Sequence, residues 1–431
     1  MAKKDKALTW KCEYTTYRVV ETLFRVLPLS LCYRIGSQLG LLSRLIIKKR
    51  RVAVERNLLI AFGDTKSPTE LKKLAKEVFR RSGGNLLASV KTATMPLEKL
   101  KKCLTIEGTA NIKEFITENN GAIILLPHMG NWEVGARLNE IVYKELPVGA
   151  LYRPLDNPHL NALVKKRREY SGSQLFDRND GIAAPLQIIR NNGVLGILAD
   201  QRVGKTGLIT PFFGRLTSFS PLPEVYKKRT KCALIGLAII TTAPGRWKIK
   251  YTLEADKNAP ANTGDVAQII ESLMKLSPAD CFWLQDRWRI DHKPLQLQGK
   301  TPIIQPQLHK ASLKAQHFGI YLESLDSNNL QVIDALALHR PDIDLTCYIT
   351  HESSITSSNF KQICCPSLSN KDKFVTFFEQ QSSKAYTDLL FLPNSSDLTY
   401  FENLHTKICP LDYQQLEQSL RDAGLPEQPL S

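Results

Sequence analysis

An imidazole and a carboxylate five positions apart, His128 and Glu133, follow directly on the apolar run 122–127, and together they have the chemistry to activate a hydroxyl group. A neutral imidazole takes a proton from an attacking hydroxyl. A carboxylate on its other nitrogen fixes the tautomer and stabilises the imidazolium that forms. Were both residues in one α-helix, five steps of about 100° would set them roughly 140° apart, out of hydrogen-bonding reach. The spacing therefore predicts His128 in a loop, Gly130 at a sharp turn, and Asn131 as the cap of a helix through Trp132, Val134, Leu138, Ile141 and Val142. A reading without catalysis stays open at this point, with His128 capping the helix and Glu133 complementing the dipole of its first turn.

The elements that must hold this pair are legible from periodicity. Residues 122–126 (AIILL) are apolar on both faces, as in a central strand of a covered, mostly parallel sheet, and sites in such sheets open at the carboxyl ends of strands. Further strands are predicted at 148–152, 194–199, 233–240 and 247–253, with helices at 70–92, 159–170, 182–190 and 264–276. Alternation of this kind means an α/β fold, a mostly parallel sheet flanked by helices. Beyond residue 312 strands at 318–322, 345–349 and 389–393 alternate with helices at 330–339, 373–381 and 413–423, which predicts a smaller C-terminal α/β domain. It carries no glycine-rich phosphate loop and no catalytic pair.

Charge divides the chain at the same place. Residues 1–300 hold 49 Lys and Arg against 27 Asp and Glu, net +22, whereas residues 301–431 hold 9 against 15, net −6. The step predicts a boundary near 299–306 and three parts: a membrane-associating helical segment 1–50, a main domain 51–300, and an acidic domain 307–431 of unknown role. So basic a body calls for an anionic partner, either a membrane surface or an acidic or phosphorylated substrate; no nucleic-acid-binding signature accompanies it, so no nucleic acid is expected. Between residues 17 and 47 the uncharged pieces are at most 9 residues long, too short to span a bilayer. Leu31, Ile35, Leu39, Leu42 and Ile46 recur at helical spacing before Lys48-Lys49-Arg50-Arg51, a pattern suited to lying on an anionic leaflet or to docking on the protein's own core. Nine cysteines without a CxxC pair read as reduced thiols in a cytosol-facing protein.

The ordered motifs resemble those of the lipid A biosynthesis late acyltransferases, the lauroyl and myristoyl transferases, over residues 14 to about 294. The centre is Pro127-His128-Met129-Gly130-Asn131-Trp132-Glu133, the HxGNWE form of that family's H-x4-D/E signature. Around it stand Arg56-Asn57-Leu58, Tyr152-Arg153-Pro154, Arg168 four residues before Gly172, Asp200-Gln201, Pro211-Phe212-Phe213-Gly214, and a closing Trp283-x3-Arg287-Trp288. Gln285 departs from the family's closing motif, which usually has a histidine there.

The resemblance implies that 51–300 is an acyltransferase domain with His128 as general base and Glu133 as its orienting acid. The hydroxyl belongs to a phosphorylated lipid A precursor and attacks the thioester of an acyl chain on acyl carrier protein, at the cytoplasmic face of the inner membrane. Arg168 is the first candidate for an oxyanion donor or a substrate-phosphate ligand, with Arg153 second; Asn131 is placed in the substrate site, and Asp200 there as well, to orient an arginine or the sugar head group. No cofactor and no metal is called for, since the thioester is already activated and no third ligand accompanies His128 and Glu133. Two alternatives remain: the same chemistry on another glycolipid such as a mannosylated phosphoinositide, or a non-catalytic membrane adaptor.

Overall fold

In the computed structural model, the described residues are 3–108, 111–177, 181–203, 207–255, 257–259, 261–288, 314–339, 343–351, 357–382, 387–393, 398–401, 406–411 and 413–422. They divide into two compact units, the first made of 1–213 and 217–287, the second of 214–216 and 288–431. The boundary expected at 299–306 lies outside the described residues.

The strands of the first unit are β1 (Leu104–Glu107), β2 (Ala122–Leu126), β3 (Val148–Tyr152), β4 (Gln174–Asp177), β5 (Val194–Leu198), β6 (Leu208–Phe212), β7 (Arg215–Phe219, of which 217–219 fall in this unit), β8 (Ala233–Ala243) and β9 (Arg246–Ala255). Seven of them form one sheet in the order β1-β9-β8-β2-β5-β3-β4, and β6 pairs with β7 apart from it. From β8 to β4 all neighbours are parallel. β9 runs antiparallel to β8 and carries β1 parallel to itself, so the sheet is mixed. Its helices are α1 (Lys3–Val26), α2 (Leu29–Ile46), α3 (Lys48–Phe62), α4 (Pro68–Thr92), α5 (Leu97–Lys101), α6 (Ile112–Glu118), α7 (Leu138–Ile141), α8 (Pro158–Arg168), α9 (Ala183–Arg190), α10 (Leu222–Thr230) and α11 (Thr263–Leu276). Every residue of β2 is buried, as its two-faced apolarity requires, and each such aliphatic side chain contributes roughly 1.5–3 kcal/mol relative to exposure.

Local chemistry sets the helix ends. Ser67 and Glu70 close a reciprocal capping box at the start of α4, with Pro68 in the first turn. Asn157 caps α8 by accepting from the amides of His159 and Leu160, and it donates to the Trp10 carbonyl and to Glu13 of α1. Glu21 of α1 is fully buried, where it pairs with Arg167 of α8 and with Arg25.

The helix expected across residues 132–142 is instead a 3-10 turn, Trp132–Arg137, followed by the single α-turn α7, and Asn131 makes no capping bond. The stripe expected on α2 is largely turned outward: Leu31, Leu39, Leu42 and Ile46 are exposed, as are Leu45 and Ile47. The helix docks by its other face, where Gly36 and Gly40 approach Gly83 and Phe79 of α4 so closely that any Cβ would strike a backbone carbonyl. Among the described residues no helix is long and apolar enough to cross a membrane.

The second unit has β10 (Gln316–Leu322), β11 (Ile343–Ile349), β12 (Lys361–Cys364), β13 (Leu389–Pro393) and β14 (Lys407–Leu411), with α12 (Ser327–His339), α13 (Lys371–Ser382) and α14 (Tyr413–Asp422). All its strand pairs are parallel in the order β12-β11-β10-β13-β14, a doubly wound sheet. Ile333, Leu336 and Leu416 pack on one face and Phe374 and Phe378 on the other.

Candidate active site

His128 stands just beyond the carboxyl end of β2, in a loop strapped from both sides. The His128 carbonyl accepts from the Phe282 amide at 2.8 Å, Gly130 donates its amide to the Asp280 carbonyl at 2.9 Å, and Met129 bridges Cys281. Gly130 has φ +56°, and a Cβ there would collide with the Ile239 carbonyl, so the turn admits no larger residue without displacement.

The imidazole is held by Asp200, which follows β5 by two residues. Asp200 Oδ1 lies 2.6 Å from His128 Nδ1, and Oδ2 accepts from the His128 backbone amide at 3.0 Å. His128 Nδ1 is thus met by Asp200, which the sequence pointed toward an arginine or a head group, and not by Glu133, which it pointed to as the orienting acid. The physical reason is the 3-10 turn, in which Glu133 meets Arg168 at the end of α8. The guanidinium donates through Nε at 2.9 Å and Nη2 at 2.5 Å, a bidentate pair that occupies both carboxylate oxygens.

Electrostatics follow this geometry. Burial disfavours charge on His128, but the Asp200 carboxylate and its hydrogen bond, reinforced by Glu133, outweigh it and raise the imidazole above its ordinary 6.5. Burial likewise opposes charge on Asp200, yet His128 and, further off, Arg287 hold that carboxyl below the usual value. Arg287 is itself pushed down to about 9 by burial, against the pull of Asp200. Its guanidinium lies 4.2 Å from the centroid of the Phe219 ring and donates to Thr217 and to the Ser218 carbonyl. At neutral pH it still supplies a positive charge behind the carboxylate.

Two cavities meet at this point. An open cleft of about 1020 Å³ is lined by His128, Glu133, Arg153, Arg168 and Gln201, with Tyr17 of α1 on its wall. A narrow apolar cavity of about 100 Å³ runs against the sheet between Ile124, Val148, Gly196 and Leu237, with Tyr143 among its lining. Glu133, Tyr152 and Arg168 line both, so the carboxylate–guanidinium pair stands where cleft and cavity join.

Of the residues expected in the site, His128, Glu133, Arg153 and Arg168 are thus brought to one cleft, and Asp200 is buried directly behind His128. Asn131 is not in it. It is buried, and its amide donates to the Thr92 hydroxyl at 3.0 Å, fixing the loop to α4 rather than facing substrate. Residues that spacing left unassigned complete the support. Arg137 is buried and bonds the Thr92 and Met95 carbonyls, while Asn57 donates to the carbonyls of Trp283 and Gln285. Because the Gln285 position is held through its backbone, the departure there from the family motif leaves this contact intact. Arg287 and Asn57 belonged to the quoted motifs, a usable signal; nothing in sequence marked Arg137.

The bacterial lipid A biosynthesis acyltransferase family matches this sequence over residues 1–290. The Escherichia coli (strain K12) lipid A biosynthesis lauroyltransferase is 26% identical over 289 residues, 65% of this chain and 91% of that protein. The palmitoleoyltransferase of the same organism is 24% identical over 268 residues, 60% of this chain and 85% of its own length. A phosphatidylinositol mannoside acyltransferase from Mycobacterium tuberculosis (strain CDC 1551 / Oshkosh) is 26% identical over 211 residues, 46% of this chain and 65% of its own. With the family match spanning all of the first unit, including the His128 loop and Asp200, this chain is an acyltransferase and belongs to the bacterial lipid A biosynthesis acyltransferase family.

Proposed function

We propose that the protein transfers a fatty acyl chain from acyl carrier protein to a hydroxyl of a phosphorylated lipid A precursor, at the cytoplasmic face of the inner membrane. The observation that carries this is the position of the His128–Asp200 pair in a cleft that joins an apolar cavity and is lined by several arginines. His128 Nε2 faces the cleft and takes the proton of the acceptor hydroxyl, while Asp200 keeps the tautomer and compensates the imidazolium. The Glu133–Arg168 pair fixes the threshold between head group and chain. The acyl chain occupies the apolar cavity. Arg153, exposed at the cleft, suits the phosphates of the acceptor.

Purified full-length protein mixed with acyl carrier thioester and a tetra-acylated, sugar-bearing precursor should give a product heavier by one acyl chain, and His128→Ala should give none. Absence of that product with the intact protein refutes the reading. The match to phosphatidylinositol mannoside acyltransferases favours one second acceptor class, and a mannosylated phosphoinositide in the same assay separates the two.

Chain length follows from the cavity. Gly196 lines it, and a Cβ there meets nothing nearer than 3.7 Å, so a side chain fits and fills the space. Gly196→Leu should shift the preferred donor to shorter chains and lower kcat/KM for the original one by about tenfold or more, read by product mass across a donor series.

Membrane contact is the part of the reading carried by α2, whose exposed Leu39, Leu42 and Ile46 adjoin Lys48-Lys49-Arg50-Arg51. Replacing those three by Gln should weaken flotation with anionic phospholipid vesicles on the order of 10²-fold while leaving Tm unchanged. Undiminished flotation contradicts the surface assignment.

A further inference from the structure

The attack just described leaves one charge unassigned, the one that develops on the carbonyl oxygen of the thioester. Arg168 turns its Nε and Nη2 to Glu133, and no contact joins it to His128. A different side chain reaches the reacting nitrogen: Gln201, in the cleft and next to Asp200, has Nε2 3.2 Å from His128 Nε2. Asp200 engages Nδ1, so the neutral ring that acts as base carries its proton there and its lone pair on Nε2. An amide nitrogen has no lone pair to offer. Gln201 is accordingly the donor of this contact and covers the lone pair that must accept the substrate proton.

For attack, the acceptor hydroxyl takes that position, and the thioester carbonyl carbon comes to roughly 3–3.5 Å from the hydroxyl oxygen. Its carbonyl oxygen then lies within reach of the displaced carboxamide. The geometry points to Gln201 as a catalytic residue: it yields His128 Nε2 to the acceptor hydroxyl and turns its amide N–H onto the carbonyl oxygen as that oxygen becomes negative. The inference rests on the acyl-transfer reading above. The hydroxyl oxygen bonds to the carbonyl carbon, its proton passes to Nε2, and the carbonyl π pair moves onto the oxygen held by Gln201. Collapse re-forms the carbonyl, breaks the C–S bond and expels the thiolate, which takes the proton back from Nε2. A neutral donor suits this cycle, because a cation in the same place would depress the basicity of the neighbouring imidazole.

Steady-state kinetics of the full chain with acyl carrier thioester and the tetra-acylated precursor test it, using the intact protein, His128→Ala, Gln201→Ala and Gln201→Glu. Gln201→Ala should lower kcat by about 10²–10³-fold with either KM changed by less than about threefold, the pattern of a lost oxyanion donor. Gln201→Glu keeps the shape but offers a carboxylate. It should lose at least as much, and its acid limb should move to higher pH, since the added negative charge favours the imidazolium. A Gln201→Ala enzyme with undiminished kcat and a lowered acceptor KM would overturn the inference, leaving Gln201 as a group that only competes with the acceptor hydroxyl for His128 Nε2. If Gln201→Ala folds poorly, Gln201→Glu decides the matter through binding of a phosphonate mimic of the tetrahedral intermediate. Weakening of the phosphonate without weakening of a free fatty acid supports the role, and equal affinity for the phosphonate overturns it. Transfer by the intact protein no greater than by His128→Ala removes the acyl-transfer reading itself and this inference with it, an outcome distinct from the failure of Gln201 alone.

Discussion

Asp200→Asn should cost about 10³–10⁴-fold in kcat while leaving the fold and the cleft in place, because an amide in that position no longer enforces the tautomer with Nε2 free. The same substitution has a pH signature whose sign is fixed by the electrostatics. Only the neutral imidazole is a base, so kcat/KM of the intact protein rises with pH through the His128 pKa, which lies above 6.5. Asp200 is what raises it. Removing that charge lowers the pKa, and the acid limb of the residual activity should move to lower pH. An acid limb that stays put, or a kcat within tenfold of the intact protein, would show that Asp200 does not govern the base. Glu133→Gln gives the contrast, since Glu133 acts on His128 only through space and its loss should move the acid limb far less.

The second large effect concerns Glu133 and Arg168 as a unit. Each side chain is about three-quarters shielded, so removing one leaves the other as a poorly solvated charge at the junction of cleft and cavity. Glu133→Ala and Arg168→Ala should each lower kcat/KM by about 10²-fold, and the double substitution should be no worse than the poorer single one, because the interaction has already gone. Additive losses in that cycle would mean that the two residues act independently, for instance with Arg168 on a phosphate and Glu133 elsewhere. Salt should affect the intact enzyme's pair little, since the pair is shielded from solvent more than a surface pair is.

How far the sequence carried is best judged from particular residues. The sheet was legible because β2, β5 and β8 are apolar on both faces and β9 alternates, signals that survive without tertiary context. The helix expected from residue 132 was not, because a hydrophobic repeat of that length reads alike for an α-helix and for a 3-10 turn passing into one α-turn. The loop position of His128 was readable from spacing, and the residue lines one open cleft with Arg153 and Arg168. The carboxylate on its Nδ1 was not readable, for a physical reason: Glu133 is near in sequence, whereas Asp200 is near in space, 72 residues along the chain but just past β5, the strand paired directly with β2. Parallel neighbours bring together residues whose separation no local rule can read. Arg137 was invisible for the same reason, as its partners lie on the preceding helix and loop. The role of the second unit is not readable from its composition.

The strap across the catalytic loop has a bearing on how the enzyme comes into being. The backbone groups of His128 and Gly130 are held by Phe282 and Asp280, and Trp283 is held in turn by Asn57. During synthesis, then, β2 and its histidine emerge some 150 residues before the segment that pins them. Closing such distant contacts is slow, and until the chain through Trp283 has left the ribosome the base has no fixed direction. The activity is in this sense tied to the finishing of the first unit: a nascent chain that has not reached Trp283 lacks the strap that holds the His128 loop.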